Sequence, residues 1–514
     1  VSDSLVYLVE MVAHDGAGTL TLRYSSDRGT TTGPAETPAN AYFAPRIVEP
    51  ANFTRTAFSD ARIMGGGTVG YGELILSNAD QGLSALLDYG LDGRECVVRV
   101  GPPGAAYPGG YTVFLTATME QPEVGPMRAT IRLRDKVSIL EQPLQATKYA
   151  GTNVLPNGKE GTEADIKGLP KVLAYGRCRY LPPTCVNTAL LIYQIHDGAI
   201  HAVDGVQDMG IALTFGANRA NLAAMEATAP AAGQYDTCLS EGLLRVGAIP
   251  AGVLTAHVRG DATGGYVDSV AGIVQRILTT RAGVPGGDID AASFTALDAA
   301  AGQEVGIYIA TETTRRQAIN AMLASVGAWL APTRTGAWQV GQLVAPASPS
   351  ITFTDVEIIN IDRRATRDDG RGIPLFQVIL SYGRNWASFG ESDIAGAVPT
   401  ATRAEMLQEW RRVTAIDASV QTKHLLATEL SRETLLADPT EAATEAARVL
   451  ALHKVRRDFV QITVRMQTDT FTLDLGSVVR LQTARLGYGA GRNFVVVGIT
   501  SDGRRRRLQL DLWG

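Results

Sequence analysis

The chain has 514 residues, 45% hydrophobic and 19% charged, a globular composition too long for one ordinary domain. At roughly 150 residues per domain, three or four are expected. A formal net charge of -5 and a pI of about 5.8 argue against a general polyanion binder, and 54 Gly with 23 Pro point to many short strands and turns. The longest apolar runs, Leu5 to Val9 and Ala189 to Tyr193, fall far short of the about 20 residues of a membrane span. Val1-Ser2-Asp3-Ser4 has no signal-peptide pattern, so synthesis in a cytoplasm is expected.

Residues 1–145 read as a β module: Leu20, Leu22 and Tyr24 alternate, and runs follow at Glu73 to Leu76, Cys96 to Val100, Tyr111 to Met119 and Arg128 to Leu133. Gly101-Pro102-Pro103-Gly104 and Tyr107-Pro108-Gly109-Gly110 fit a loop between two of these strands. A linker at Gly151 to Gly168 leads to a β-rich middle domain, 146–255, with short strands at Leu190 to Ile195, Ala199 to Val203 and Ile211 to Thr214. An α+β middle domain, 256–346, follows. There Val267, Val270, Ala271, Val274, Ile277 and Leu278 recur at helical spacing before Gly283. Thr314 to Gln317 has capping-box form ahead of a helical stripe, Ile319, Met322, Leu323 and Val326. Trp329 to Thr333 and Ala337 to Val340 then flank a hairpin turn.

The last module, 347–514, starts with strands Ile351 to Phe353 and Phe376 to Tyr382 and carries a helical insertion at about 401–454. Asp438, Pro439 and Glu441 occupy N-cap, N1 and N3 of a helix striped by Ala442, Ala446, Val449, Leu450 and His453. Alternation then runs through Val460, Ile462, Val464 and Met466 to Leu508, Leu510 and Leu512. Two strand-rich ends create edges that must be closed, covered or paired with another subunit. No strict short-period repeat marks a solenoid or propeller.

Catalytic signatures are lacking. The six histidines, His14, His196, His201, His257, His424 and His453, form no H-E-x-x-H or comparable pattern. His14 and His196 each precede Asp-Gly, which reads as hairpin-turn chemistry. The alternative grouping of His196, Asp197, His201, Asp204 and Asp208 around a metal spans several predicted turns. Cys96, Cys178, Cys185 and Cys238 read as reduced, buried thiols. The six residues between Cys178 and Cys185, Pro182 and Pro183 among them, do not match a zinc knuckle.

No G-x-S-x-G elbow or cysteine-protease signature is present, and 52 acidic residues hide any glycosidase pair. Gly65-Gly66-Gly67 to Gly72 lacks the ending of a phosphate loop and reads as a strand connection. Arg504 to Arg507 reads as a hairpin shoulder, or as an interface with acidic residues of a neighbouring subunit. Trp338, Trp386, Trp410 and Trp513 read as separate packing anchors. No catalytic, cofactor-binding or metal-ligating residue is assigned, and no cofactor.

Segments along the whole chain together resemble the tail hub (baseplate hub or tail-tip) proteins of long-tailed bacteriophages and gene-transfer particles. They include Tyr42-Phe43-Ala44-Pro45-Arg46-Ile47, Gly72 to Asn78, Leu87 to Arg94, Lys171 to Gly176, Ile192-Tyr193-Gln194, Val305 to Ile309, Tyr382 to Trp386, Gly498-Ile499 and Leu510 to Gly514. Their order carries the resemblance. It implies a mainly β fold in which two tail-tube-like β-barrel domains, 1–145 and 347–514, flank the two smaller domains. It further implies a homotrimer whose six barrels form a ring, an adaptor between a sixfold tail tube and a threefold tip, lining the DNA exit channel.

The expected location is the distal tail or baseplate of a virion. Implied partners are a distal tail ring protein, a tape-measure protein, a tail fibre or central tip protein, the host envelope at infection, and phage DNA passing without specific binding. Some such hubs hold an iron–sulfur cluster on four cysteines grouped in one domain, and the scattered cysteines here depart from that arrangement. Two alternatives differ in class. One is a peptidoglycan hydrolase in 169–255 or 256–346; the other is a receptor-binding tip protein acting through loops such as Gly383 to Thr402.

Overall fold

The structure, a computed structural model, describes residues 5–58, 67–134, 136–364, 373–467 and 469–514. The fold is mainly β. The N-terminal part contributes Val6–His14 (β1), Thr19–Ser25 (β2), Thr30–Thr31 (β3), Tyr42–Pro45 (β4), Ile47–Glu49 (β5), Phe53–Thr56 (β6), Thr68–Tyr71 (β7), Glu73–Ser77 (β8), Glu95–Gly101 (β9), Thr112–Met119 (β10), Glu123–Val124 (β11) and Arg128–Arg134 (β12). His14-Asp15-Gly16 turns β1 into β2, with Asp15 Oδ1 accepting the Ala17 and Gly18 N–H groups at 2.8 and 2.7 Å. The Gly/Pro-rich stretch joins β9 to β10, as its composition predicts. The sheet runs β3-β4-β2-β1-β9-β10-β12-β8-β5, with β11 on β12.

The middle begins with Leu173–Leu181 (β13), Thr184–Asn187 (β14), Ile192–Gln194 (β15), Ile200–Asp208 (β16), Ile211–Ala212 (β17), Thr214–Asn218 (β18), helix Leu222–Ala227 (α1), Gln234–Cys238 (β19), Leu243–Val246 (β20) and Leu254–Asp261 (β21). It continues with Val270–Arg276 (α2), Ala291–Ala300 (α3), Gly306–Ile309 (β22), Arg315–Ser325 (α4), Ala328–Pro332 (β23) and Trp338–Gln342 (β24). Two five-stranded sheets, β17-β16-β21-β13-β22 and β14-β15-β20-β19-β18, share the first part. The expected boundary near 255 falls inside β21, and β22 returns to pair with β13.

The capping box at Thr314 and Gln317 opens α4. The helices α2, α3 and α4 cover the β23–β24 hairpin in one core with Trp338.

The C-terminal part comprises Ile351–Thr354 (β25), Ile358–Arg364 (β26), Leu375–Tyr382 (β27), Thr400–Met406 (α5), Arg411–Ile416 (β28), Ser419–Lys423 (α6), Thr428–Glu433 (β29), Pro439–His453 (α7), Phe459–Arg465 (β30), Val478–Gln482 (β31), Arg492–Asp502 (β32) and Arg507–Trp513 (β33). Its main sheet runs β25-β31-β32-β33-β30-β26. β27, which alternation alone assigns to this sheet, instead forms a separate one with β28 and β29, roofed by α7. Asp438 caps α7, accepting from the Thr440 and Glu441 N–H groups.

The two ends share a strand order. Read along each sheet, β1-β9-β10-β12-β8-β5 and β25-β31-β32-β33-β30-β26 visit their strands in the same chain sequence. Four of the five pairings are antiparallel in both; the first is antiparallel for β1·β9 and parallel for β25·β31. Each unit is interrupted at the same step. The β6–β7 hairpin lies between β5 and β8, and the β27–α7 insertion lies between β26 and β30.

The hairpin leaves its own sheet and pairs with β32, Thr54 opposite Thr500 and Thr56 opposite Gly498. The apolar faces of both ends meet in one continuous core, with Tyr7, Phe53, Phe114 and Phe471 at the junction. Among the described residues neither sheet closes on itself into a barrel: one path ends on β3 and β5, the other on β25 and β26.

Candidate functional site: the outward face of the C-terminal sheet

Strand alternation sends Val460, Ile462, Val464, Leu508, Leu510 and Leu512 into the core and their neighbours outward. In register across six strands, Gly70, Thr54, Thr500, Gln509, Thr463 and Asn360 form one polar row. A second row, Gly498, Asp511, Gln461 and Asp362, flanks it, and Gln461 Nε2 donates to Asp511 Oδ1 at 2.7 Å. A Cβ at 498 would lie 2.7 Å from Asp511 Oδ2, so glycine there lets the Asp511 carboxylate lie close over β32. Asp502 pairs in register with Arg507, and Arg507 with Arg465.

The hairpin side of this face is hollowed into an open groove of about 620 Å³, with Thr54, Tyr71, Ser501, Arg505, Arg507 and Gln509 in its wall. On this face as a whole Asp362, Asp502 and Asp511 stand against Arg465, Arg505 and Arg507. Such a face is hydrated and nearly charge-balanced, and tight binding of a polyanion requires an excess of cations. It suits a surface past which a polyanion slides.

The residues singled out in the sequence lie apart. Among the described residues no three His, Cys, Asp or Glu are placed to hold a metal ion. Asp204 pairs with Arg259 at 2.9 Å, Asp208 accepts the Ala251 and Gly252 N–H groups, and His201 stacks on Tyr266.

His196 is not a hairpin-turn residue, because β15 and β16, which it links, belong to different sheets. It is wholly buried, its Nδ1 accepts the Ala174 N–H at 3.0 Å, and its Nε2 stands 3.4 Å from Asp261 Oδ1. Asp261 in turn takes Arg276 at 2.5 Å. Burial alone would raise this carboxyl, but His196, Thr263 and Arg276 hold it below the usual range. The local Asp-Gly signal conceals this contact because Asp261 is distant in sequence.

Cys96, Cys178 and Cys238 are buried free thiols, and Cys185 is half-buried. Gly65 and Gly66 lie outside the described residues, while Gly67, Gly70 and Gly72 serve the β6–β7 hairpin and its exit. Arg504 to Arg506 form the β32–β33 turn. Arg504 meets Glu49 at 2.6 Å, and Arg506 donates to the Leu5 carbonyl, so this shoulder contacts the N-terminal end of the same chain. Trp338 and Trp513 are buried anchors. Trp386 and Trp410 are not separate: Arg384 lies 4.5 and 5.2 Å from their rings.

The loop from Gly383 is held down rather than free. Asn385 is buried and donates to the Glu405, Met406 and Gln408 carbonyls, while Ile394 and Val398 pack with Met406 and Tyr180.

No family model and no curated protein matches the sequence. Among solved structures the chain is similar to a tail protein from Neisseria meningitidis MC58, at 10% identity and a TM-score of 0.42 over 99% of this chain and 96% of that one. It is similar to a 43 kDa tail protein of prophage MuSo2 from Shewanella oneidensis, at 10% identity and 0.38, over 99% and 96%. It is also similar to a chain in the virion of a native gene transfer agent particle, at 14% identity and 0.44, over 73% and 91%.

Proposed function

We propose that the chain is a structural tail hub protein of the distal tail of a phage or phage-like virion, an adaptor and conduit without covalent chemistry. The observation that carries this reading is the strand order shared by the two ends around one core. A chain with two similar sheet units presents two quasi-equivalent faces, so three copies offer six units to a sixfold tube while keeping threefold symmetry below. The six-stranded run β7-β6-β32-β33-β30-β26 has no further strand in its ladder beyond β7 or β26 among the described residues. Pairing between copies at β7 and β26 would close the ring and hide both edges.

The balanced polar face of that run then lines the DNA exit channel. The partners that follow are a tail ring protein above, a tape-measure protein inside, and fibres or a central tip protein below. Native mass spectrometry and class averages from electron microscopy of the purified chain test the reading. Trimers with a central pore are the expected particles, and stable rings of another order overturn it.

A further inference from the structure

One end of the C-terminal sheet gathers several arginines around a single acid. Asp458, just before β30, is fully buried and accepts from Arg363 Nε at 2.8 Å, Arg456 Nη2 at 2.9 Å, Arg492 Nη1 at 2.6 Å and the Tyr488 hydroxyl at 3.1 Å. Three guanidinium groups on one carboxylate leave an excess of cations. The groups are also fixed in place: Arg492 donates further to the Arg456 and Gly514 carbonyls, and its guanidinium lies 5.9 and 5.6 Å from the Tyr488 and Phe494 rings.

A further arginine adjoins them. Arg457 lies over Trp513 at 4.8 Å and donates to the Leu452 carbonyl. Arg480, in register with Asn493, belongs to the opposite face of the strand pair from Arg492 and stands outside the cluster. Arg456 and Arg363 remain 56% and 39% exposed in their side chains, so N–H groups not used on Asp458 face solvent. Arginine forks held in this way are pre-organised for phosphate oxygens. The balanced face of the same sheet is not.

We propose that this arginine cluster around Asp458 is a contact site for the phosphate backbone of duplex DNA at one end of the C-terminal unit. The choice of DNA among polyanions rests on the conduit reading above; the cluster itself does not. On a chain of net charge -5 the contact is local. Two or three phosphates give a slope of about -2 to -3 in log affinity against log salt.

The test is fluorescence anisotropy of a labelled duplex with the full chain between about 50 and 200 mM salt, for the wild type, Arg456→Gln and Arg363→Gln, each of which leaves Asp458 two arginine partners. Poly-glutamate of equal charge serves as competitor, and thermal midpoints confirm folding. The expected result is salt-dependent binding whose slope falls by about one for each arginine removed, with unchanged melting. Absence of binding by the wild type, slopes in the variants equal to that of the wild type, or stronger binding of poly-glutamate than of DNA overturns the proposal, the last by assigning the site to an acidic protein face. Oligomeric state is read on the same samples, so a trimer that ignores DNA rejects only this site, and DNA binding by a chain that forms no trimer rejects only the hub.

Discussion

Arg55 on β6 is wholly buried, and its guanidinium meets the carboxylate of Asp474, 419 residues further along the chain. This ion pair fixes the imported hairpin against the C-terminal unit. It acts with the Phe53 N–H on Ser501 Oγ at 2.8 Å and the Gly503 N–H on Asn52 Oδ1 at 2.8 Å. Arg55 Nε and Nη2 find no acceptor among the described residues, so the pair holds the two ends together at a desolvation cost that its attraction only partly offsets.

The two partners are therefore unequal under mutation. Asp474→Asn leaves a buried guanidinium without a counter-charge and is expected to destabilise by about 3–5 kcal/mol. Arg55→Met leaves Asp474 unpaired, but the Asp474 side chain is 25% exposed and can be hydrated, so a milder loss is expected. Urea midpoints of the two variants test the order, and an Arg55→Met variant less stable than Asp474→Asn contradicts it.

Thiol chemistry separates the cysteines. Burial pushes the Cys96 thiol up to about 12 and raises Cys178 and Cys185 as well. Of the four, Cys185 alone is partly exposed. Thiolate is the reacting species, so a disulfide reagent at neutral pH should modify Cys185 first and slowly, with all four reacting in denaturant. Rapid labelling in the native chain would show that a core opens, the shared core of the two ends for Cys96 and the middle core for Cys178.

These features were unevenly legible. The capping box at Thr314, the Asp438-Pro439 helix start and the Asp15 turn are local, set by side chains bonding to backbone two or three residues away. The pairing of β6 with β32 and the ion pair of Arg55 with Asp474 join residues more than 400 positions apart, and no window of sequence contains both partners. His196 shows how a strong local signal misleads: Asp-Gly after it does make a bend, but burial against Tyr175 and Asp261 decides its role. Glu445 on α7 is the reverse case. It falls on the buried side of that helix and is held by Arg448 at 2.7 Å, where alternation alone would not place a charge. The polar row of the candidate face needed the register of six strands before it became visible.

Acid should weaken the arginine cluster. Burial alone would raise the Asp458 carboxyl, but Arg492, Arg363 and Arg456 outweigh it and hold it below the usual range. A carboxyl depressed in the folded state contributes stability that is present above its unfolded value, about 3.9, and is lost as pH falls through its folded value. The stability difference between wild type and Asp458→Asn should be full at pH 7 and shrink below about pH 4. Urea midpoints across that range check it, and a difference that is constant or grows toward acid would show that the arginines do not hold the carboxylate charged.

The edge of β26, which has no second partner strand among the described residues, gives the sharpest test of assembly. It is a seven-residue strand without proline, with Ile359 39% exposed at a register shift and Val356 exposed just before it. Monomeric proteins blunt such edges with charge or proline. The strand already carries Asp362 and Arg363 in its second half, and Ile359→Lys extends charge to its apolar start while leaving the β26·β30 ladder and the core side chain Ile358 untouched. If copies of the chain meet at this edge, the variant should keep the wild-type unfolding free energy to within about 0.5 kcal/mol at dilutions where both chains are monomeric, yet sediment as a monomer at concentrations where the wild type forms trimers. A trimer unaffected by Ile359→Lys would move the interface elsewhere, whereas a coupled loss of stability would show that β26 is held by contacts within the chain.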